Sequence, residues 1–328
     1  MRAWLGALLA LLACSAAAQK TPAPGVAEDR SYAASSLDLL PGAGIGFEFV
    51  GARDSDHFQS RQTSLVGLVH YNSPYDFLAV GAGTEYFKQD DWSRRGYSLV
   101  GFAEKRDRAT GAGISASVGV KQIDGHDRAT AEAVVNHRFS AQTGGELILQ
   151  RDFVETRAAL DAGVTQAFIA GSIDHTFTDR WTGIALAGAQ RFSDGNDRAH
   201  LRGWLIYTLV PEYGLSLQAR IRGYENSQTG SAFYFNPDRY ETADFGLRLR
   251  TGVSGWRLHA LLAAGEERID RASTNPTRFA QLNADRVLAG DIRAGVRYAY
   301  SRAAGENTAS ASGGYTWRYL RFFIVAPL

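Results

Sequence analysis

Apolar residues recur at every second position over most of the chain. Ile45, Phe47 and Phe49 alternate with Gly44, Gly46 and Glu48, a period that lines one face of a β-strand and would scatter around a helix. The pattern returns at Tyr97-Leu99-Gly101-Ala103, Ile114-Ala116-Val118-Val120, Ala131-Ala133-Val135-His137-Phe139 and Ile169-Gly171-Ile173-His175-Phe177, and Leu65 and Val69 are placed on one face with Tyr71. It is clearest where Leu215-Leu217-Ala219-Ile221 opposes Ser216-Gln218-Arg220-Arg222, and where Phe245-Leu247-Leu249 opposes Asp244-Gly246-Arg248-Arg250. Only the extreme N-terminus has another texture.

The connections alternate in length. Short turns are predicted at Asn72-Ser73-Pro74, Arg106 to Thr110, Ser140 to Thr143, Thr178-Asp179-Arg180, Val210 to Tyr213, Thr251 to Gly255 and Arg302 to Glu306. Between them fall longer polar loops at Asp54 to Arg61, Lys88 to Arg95, Val154 to Gln166, Phe192 to Arg198, Asn226 to Tyr240 and Glu266 to Val287, with a shorter one at Ile123 to Asp127. Short periplasmic turns and longer outer loops are the habit of outer-membrane barrels; a soluble periplasmic sandwich or barrel is the rival. Fifteen strands can be counted, whereas single-chain bacterial barrels normally have an even number. The hidden strand is sought in Ser31 to Leu40, in Thr156 to Val164 or in the tail from Leu320 to Leu328. The expected fold is all-β, a transmembrane antiparallel β-barrel of about 16 strands, with 14 as the neighbouring count.

Composition permits this reading. At 45% hydrophobic residues and a mean hydropathy of −0.21, a bundle of membrane-spanning helices is excluded, while a barrel averages its lipid-facing and interior residues to such values. The 35 Gly and the 11% aromatic content suit strands. With 35 Lys+Arg against 34 Asp+Glu, no nucleic-acid partner is indicated.

Met1-Arg2, the apolar run Ala3 to Ala13 and the small residues Ala16-Ala17-Ala18 read as a secretory signal peptide over 1–18. Leu11-Leu12-Ala13-Cys14 also resembles a lipobox, in which Cys14 would be lipidated; cleavage after Ala18 is favoured and leaves a chain without cysteine. The Pro- and Gly-punctuated stretch 19–42 reads as a periplasmic linker, and 43–328 as one barrel domain. Tyr71, Tyr75, Phe139, Phe177, Trp181 and Tyr213 beside short turns, and Tyr86, Phe87, Trp92, Phe153, Phe192 and Tyr224 beside long loops, are expected to form the two interfacial girdles.

After the eleventh strand the chain reads Phe233-Tyr234-Phe235-Asn236-Pro237-Asp238-Arg239-Tyr240. This Tyr-Phe-Xaa-Pro-Xaa-Xaa-Tyr element beside a late strand of a Gly-rich barrel resembles the C-terminal barrels of Gram-negative exopolysaccharide export porins, those for cellulose and poly-N-acetylglucosamine. The resemblance covers about Ala43 to Leu328; the stretch Gln19 to Gly42 is shorter than one tetratricopeptide repeat of roughly 34 residues, which such proteins usually carry. It implies export of an exopolysaccharide, with a separate periplasmic export partner as a candidate. Tyr234, Phe235, Pro237 and Tyr240 are then candidates for a glycan-contact loop, the alternative being that the rings fix the loop to the rim.

Thirty-one of the basic residues are Arg and four are Lys. Arg202, Arg220, Arg222, Arg248, Arg250, Arg257, Arg293 and Arg297 fall on the polar faces of the later strands, with Asp244 and Asp291 among the few acids there. If those faces line the interior, the wall attracts anions or acidic glycans; the alternative is a salt-bridge network with Glu132, Glu146 and Asp152 of the opposite wall. Catalysis finds little support. His70-Tyr71-Asn72-Ser73 superficially resembles a lipid A deacylase arrangement, but its last two residues are assigned to a turn. Asp174 and His175, as neighbours on a strand, point to opposite faces. His137 and His175 lie on apolar faces and His259 on a mixed one. No Gly-Xaa-Ser-Xaa-Gly, His-Glu-Xaa-Xaa-His or phosphate loop occurs. Asp124-Gly125-His126-Asp127 and Asp194-Gly195-Asn196-Asp197 are read as turns rather than calcium sites, and no catalytic residue, metal or cofactor is expected. The expected function is an outer-membrane channel or porin-like protein, contacting outer-membrane lipid and passing an exopolysaccharide or an anionic glycan-like solute. The alternatives are a closed surface-binding protein or receptor and, behind that, an outer-membrane enzyme acting on lipid or envelope glycan.

Overall fold

A computed structural model describes residues 42–73, 75–107, 109–289, 292–302 and 315–328; the expected signal peptide, nearly all of the expected linker and Asp291 lie outside them. Sixteen strands are present: β1 Gly42–Asp54, β2 Gln59–Ser73, β3 Asp76–Gln89, β4 Trp92–Arg106, β5 Gly113–Ile123, β6 His126–Arg138, β7 Thr143–Phe153, β8 Thr165–Thr176, β9 Trp181–Phe192, β10 Asp197–Val210, β11 Leu215–Asn226, β12 Arg239–Val253, β13 Trp256–Ile269, β14 Asn275–Val287, β15 Arg293–Arg302 and β16 Thr316–Pro327. Each pairs antiparallel with its sequence neighbours, and β1 pairs with β16 to close the barrel. Closure leaves no unpaired edge, which is what allows strands to cross lipid.

The alternation becomes two faces of one wall. Leu65, Leu99, Val118, Leu201, Phe245 and Leu262 point outward and are exposed, Phe245 by 75%, whereas Glu48, Ser64, Glu85, Gln218 and Arg220 on the alternate positions are buried inside. An apolar exterior around a polar interior is the inverse of a soluble fold and fits a lipid solvent. The apolar exterior of the closed barrel places the chain in the bacterial outer membrane, where short turns are the periplasmic ones, so that both ends of the barrel chain lie on that side.

The hidden strand is β14, inside the stretch assigned to one long loop from Glu266 to Val287, and none of the three proposed segments supplies it. Ser31 to Leu40 lies outside the described residues, Leu320 to Leu328 largely belongs to β16, already among the fifteen, and Thr156 to Val164 contains a helix, α1 Arg157–Ala162. Inserting β14 puts Arg302 and Thr316, which flank the stretch read as a short periplasmic turn, at the outer end of their strands. The helix is held by Thr156, which caps Ala159 N at 3.2 Å, and by Gly163, whose φ of 64° closes the C-terminus. β2 runs through His70 to Ser73, into the expected turn, and its register shifts between Leu68 and His70. Such an irregularity flips parity, so Tyr71 turns inward, away from Val69.

The two sets of aromatics expected to form girdles fare differently. Phe139, Phe177, Trp181 and Tyr213 are exposed at the periplasmic rim, and His137 and His175 meet Phe139 and Phe177 edge-on at 4.9 and 4.8 Å. Of the set beside the outer loops, Phe87, Trp92, Phe153, Phe192 and Tyr224 are buried inside instead. Nearness to a loop does not fix which face a residue takes, since Tyr86 and Phe87 must point opposite ways.

Candidate functional site

The eight arginines singled out from the sequence all fall on the inward parity of their strands, and two further inward arginines, Arg198 and Arg321, join them. From β10 to β16 the inward cations are Arg198, Arg202, Arg220, Arg222, Arg248, Arg250, Arg257, Arg293, Arg297 and Arg321, against three inward acids, Asp244, Glu267 and Asp285. The facing arc is balanced: from β3 to β8, Glu85, Glu104, Glu132, Glu146, Asp152 and Asp174 are interspersed with Arg94, Arg106, Lys121, Arg128 and Arg138. The interior therefore has one strongly positive side.

The arginines divide by burial. Arg220 and Arg293 are 3% and 1% exposed. Arg220 is neutralised by its cross-strand partner Asp244 at 2.5 Å, and Arg293 by Asp285, which also receives Arg257 at 2.6 Å. Arg202, Arg222, Arg248, Arg250, Arg257 and Arg297 are half-buried. Arg222 donates to the Tyr240 hydroxyl at 3.3 Å and lies 5.2 Å from that ring, and Tyr240 donates to Glu267 at 2.7 Å. Arg297 stacks 5.5 Å from Tyr319, and Arg321 pairs with Glu48 across the closing seam. The carboxylates bonded to these arginines come from neighbouring strands. Asp152 instead holds Lys121 together with Glu85, at 3.0 and 3.2 Å.

Two outer loops fold over the mouth. In the β7–β8 loop, Leu160 of α1 is fully buried with Phe87, Trp92, Ile123 and Phe153, while the Trp92 indole donates to Asp161 at 2.8 Å and Arg94 pairs with the same carboxylate at 2.8 Å. Val154, Ala159 and Val164 pack with Phe192 and with Tyr234 of the β11–β12 loop, and the Thr156 hydroxyl donates to the Phe233 carbonyl. The Tyr234 ring stacks on Phe192 at 4.2 Å and its hydroxyl donates to Asp194 at 2.9 Å; burial raises its phenol above the ordinary value, keeping it protonated as that donor. Arg198 sits 4.3 Å from the Tyr224 ring and donates to Asn226 and to the Phe235 carbonyl at 2.7 and 2.8 Å. Asn226 also donates to the Pro237 carbonyl at 2.6 Å.

Of the candidate glycan-contact loop, Tyr234, Pro237 and Tyr240 are thus buried, with Tyr240 stacked 4.9 Å from Tyr224, while Phe235 is half-exposed and meets Tyr240 edge-on. Asp174 points inward to Arg138 at 3.3 Å, and His175 points outward to the Thr143 hydroxyl at 2.8 Å. Asp194 anchors the folded loop, and Asp124 binds Arg94 at 2.5 Å.

An amphipathic wall of sixteen antiparallel strands closed on itself, apolar outside and polar inside, defines a bacterial outer-membrane β-barrel. No known protein family and no curated protein matches the chain. Among solved structures, one described as a bacterial polysaccharide outer membrane secretin superposes with a TM-score of 0.66 at 13% identity, over 89% of this chain and 100% of that one. OpdQ and OprD of Pseudomonas aeruginosa align with TM-scores of 0.44 and 0.43 at 10% and 12% identity, over 88% and 90% of this chain and 99% and 97% of theirs. The chain thus shares its fold with the protein described as a polysaccharide outer membrane secretin, in agreement with the resemblance noted from its sequence.

Proposed function

We propose that the protein is an outer-membrane channel that passes an anionic, glycan-like solute or polymer, with transport and not catalysis as its role. The observation that carries this reading is the inward arc from β10 to β16, where ten arginines face three acids. A low-dielectric wall focuses such a field into the enclosed space and raises the local concentration of anions. The half-buried Arg222, Arg248, Arg250 and Arg297 supply this field, whereas Arg220 and Arg293 hold the wall together through Asp244 and Asp285. Export of an exopolysaccharide is the preferred specific role, supported by the shape shared with a protein described as a polysaccharide secretin.

Flux from proteoliposomes tests this. An acidic oligosaccharide should leave faster than a neutral one of equal size, and replacing Arg222, Arg248, Arg250 and Arg297 with glutamine should remove the difference. Equal wild-type fluxes would overturn the anionic preference. A second reading, a closed barrel working as a surface receptor, is favoured by the loops joined through Thr156 and Phe233 and by the apolar patch Val134, Ile148, Ala170, Leu186 and Trp204 inside the wall; absence of any flux supports it.

A further inference from the structure

At the outer end, where an aromatic girdle was expected, the outward face carries arginines, two of them directly opposite Tyr86 and Tyr300. On β1 the apolar positions Ile45, Phe47 and Phe49 give way to Gly51 and then Arg53; on β16 Phe322 and Leu320 give way to Arg318. β14, β15 and β2 end likewise, in Arg278, Arg302 and Arg61. All five are exposed and on the outward parity.

The register joins them into a row. Arg278 is directly opposite Arg302, and Arg318 directly opposite Arg53. Arg302 pairs with Thr316, two residues from Arg318, and Arg53 pairs with Gln59, two residues from Arg61. Directly opposed residues have Cβ atoms about 5 Å apart and diagonal ones about 7–8 Å, and like charges in these places destabilise a sheet. On these five strands no described carboxylate points outward, since Glu48, Asp54 and Asp285 all face in. Glu266 of β13 lies diagonal to Arg278 at one end of the row. None of the five arginines forms an ion pair among the described residues.

We propose that this row binds the phosphate groups of an outer-leaflet glycolipid. Guanidinium groups bind phosphate bidentately. The row runs just beyond Phe49, Leu320 and Tyr298, so one molecule can set its phosphates on the arginines and its acyl chains on the apolar belt. A neutral headgroup would leave two directly opposed like-charge pairs unscreened, and a free anion would not use the belt. The site lies on the opposite face of the wall from the interior arginines and does not depend on what the barrel transports.

Native mass spectrometry of the delipidated full-length protein in neutral detergent tests the assignment, with diphosphorylated lipid A as probe. The wild type should retain the lipid, and R53Q/R278Q/R302Q/R318Q should bind it about tenfold more weakly or worse, given the attraction each surface arginine contributes. Dephosphorylated lipid A should bind as weakly to the wild type as the phosphorylated form binds to the variant. Inorganic phosphate should not displace the lipid. Equal binding by wild type and variant, or by the two lipids, would overturn the proposal, and complete displacement by inorganic phosphate would reduce the row to a free-anion site. Retained heat-modifiable gel mobility verifies that the variant is folded; if it is lost, R53Q/R318Q and R278Q/R302Q are read by the same criteria.

Discussion

Replacing Asp285 with Asn should be among the costliest single changes in the wall. Asp285 receives Arg257 through Nε at 2.9 Å and Nη2 at 2.6 Å, and receives Arg293 as well. Arg257 retains access to water, with its side chain 32% exposed, but Arg293 is 1% exposed and cannot be rehydrated in place. Asn is nearly isosteric yet uncharged, so the guanidinium stays buried without a counter-charge, a situation that costs about 3–5 kcal/mol. Urea unfolding in detergent, followed by tryptophan fluorescence, measures the loss. Glu241→Gln is the internal control, because its pair with Arg239 spans 2.6 Å but is 55% and 40% exposed, and exposed pairs contribute about 0–1 kcal/mol. D285N/R293M, which removes the stranded charge, should recover most of the loss. A cost of D285N no larger than that of the control, or a double variant as unstable as the single one, would refute the argument.

Leu160→Ala empties a fully buried site beneath α1 and should weaken loop packing by about 2–5 kcal/mol, seen as faster proteolysis of the β7–β8 loop with unchanged heat-modifiable mobility; unchanged proteolysis would contradict the packing. Glu155, just before α1, has its carboxyl raised well above the ordinary value, first by burial and against the lowering effect of Lys121. The folded loop therefore holds a proton that the released loop gives up. Its stability should be greatest below the ordinary carboxyl value and should fall as pH rises from there through the raised one. Proteolysis of the loop should accelerate over that range, and Glu155→Gln should remove this pH dependence. Gly214 has a φ of 61°, and a Cβ there would lie 1.9 Å from the Arg250 carbonyl oxygen, so Gly214→Ala should destabilise by at least about 1–3 kcal/mol in urea titration.

The sequence conveyed the wall far better than its height or its lids. Leu217 and Ile221 against Gln218 and Arg222 set large apolar groups against charged ones, so the face of each was legible and all eight arginines could be placed inward. β14 was not, because its outward positions read Arg278, Ala280, Leu282, Ala284 and Arg286, with one large apolar side chain among them. The β2 irregularity left no compositional mark, so the parity of Tyr71 could not be followed past it. A helix of six residues is under two turns and has no period to read, though Thr156 and Gly163 at its ends were a signal. Arg198 was passed over because it directly follows the turn Asp194 to Asp197, and Arg321 because it precedes Phe322 and Phe323, which put rings on both faces. The Tyr234 loop was visible as a motif, but its burial depends on Phe192 and Asp194, 40 or more residues away in sequence.

The central claim is an aqueous passage with a positive wall, and the reversal potential of the wild-type protein in a planar bilayer under a potassium chloride gradient tests it most directly. The arc of inward arginines predicts a sign corresponding to chloride preference, and a shift towards zero when Arg222, Arg248, Arg250 and Arg297 are glutamine. Potassium preference, or a chloride preference unaltered in that variant, would contradict it.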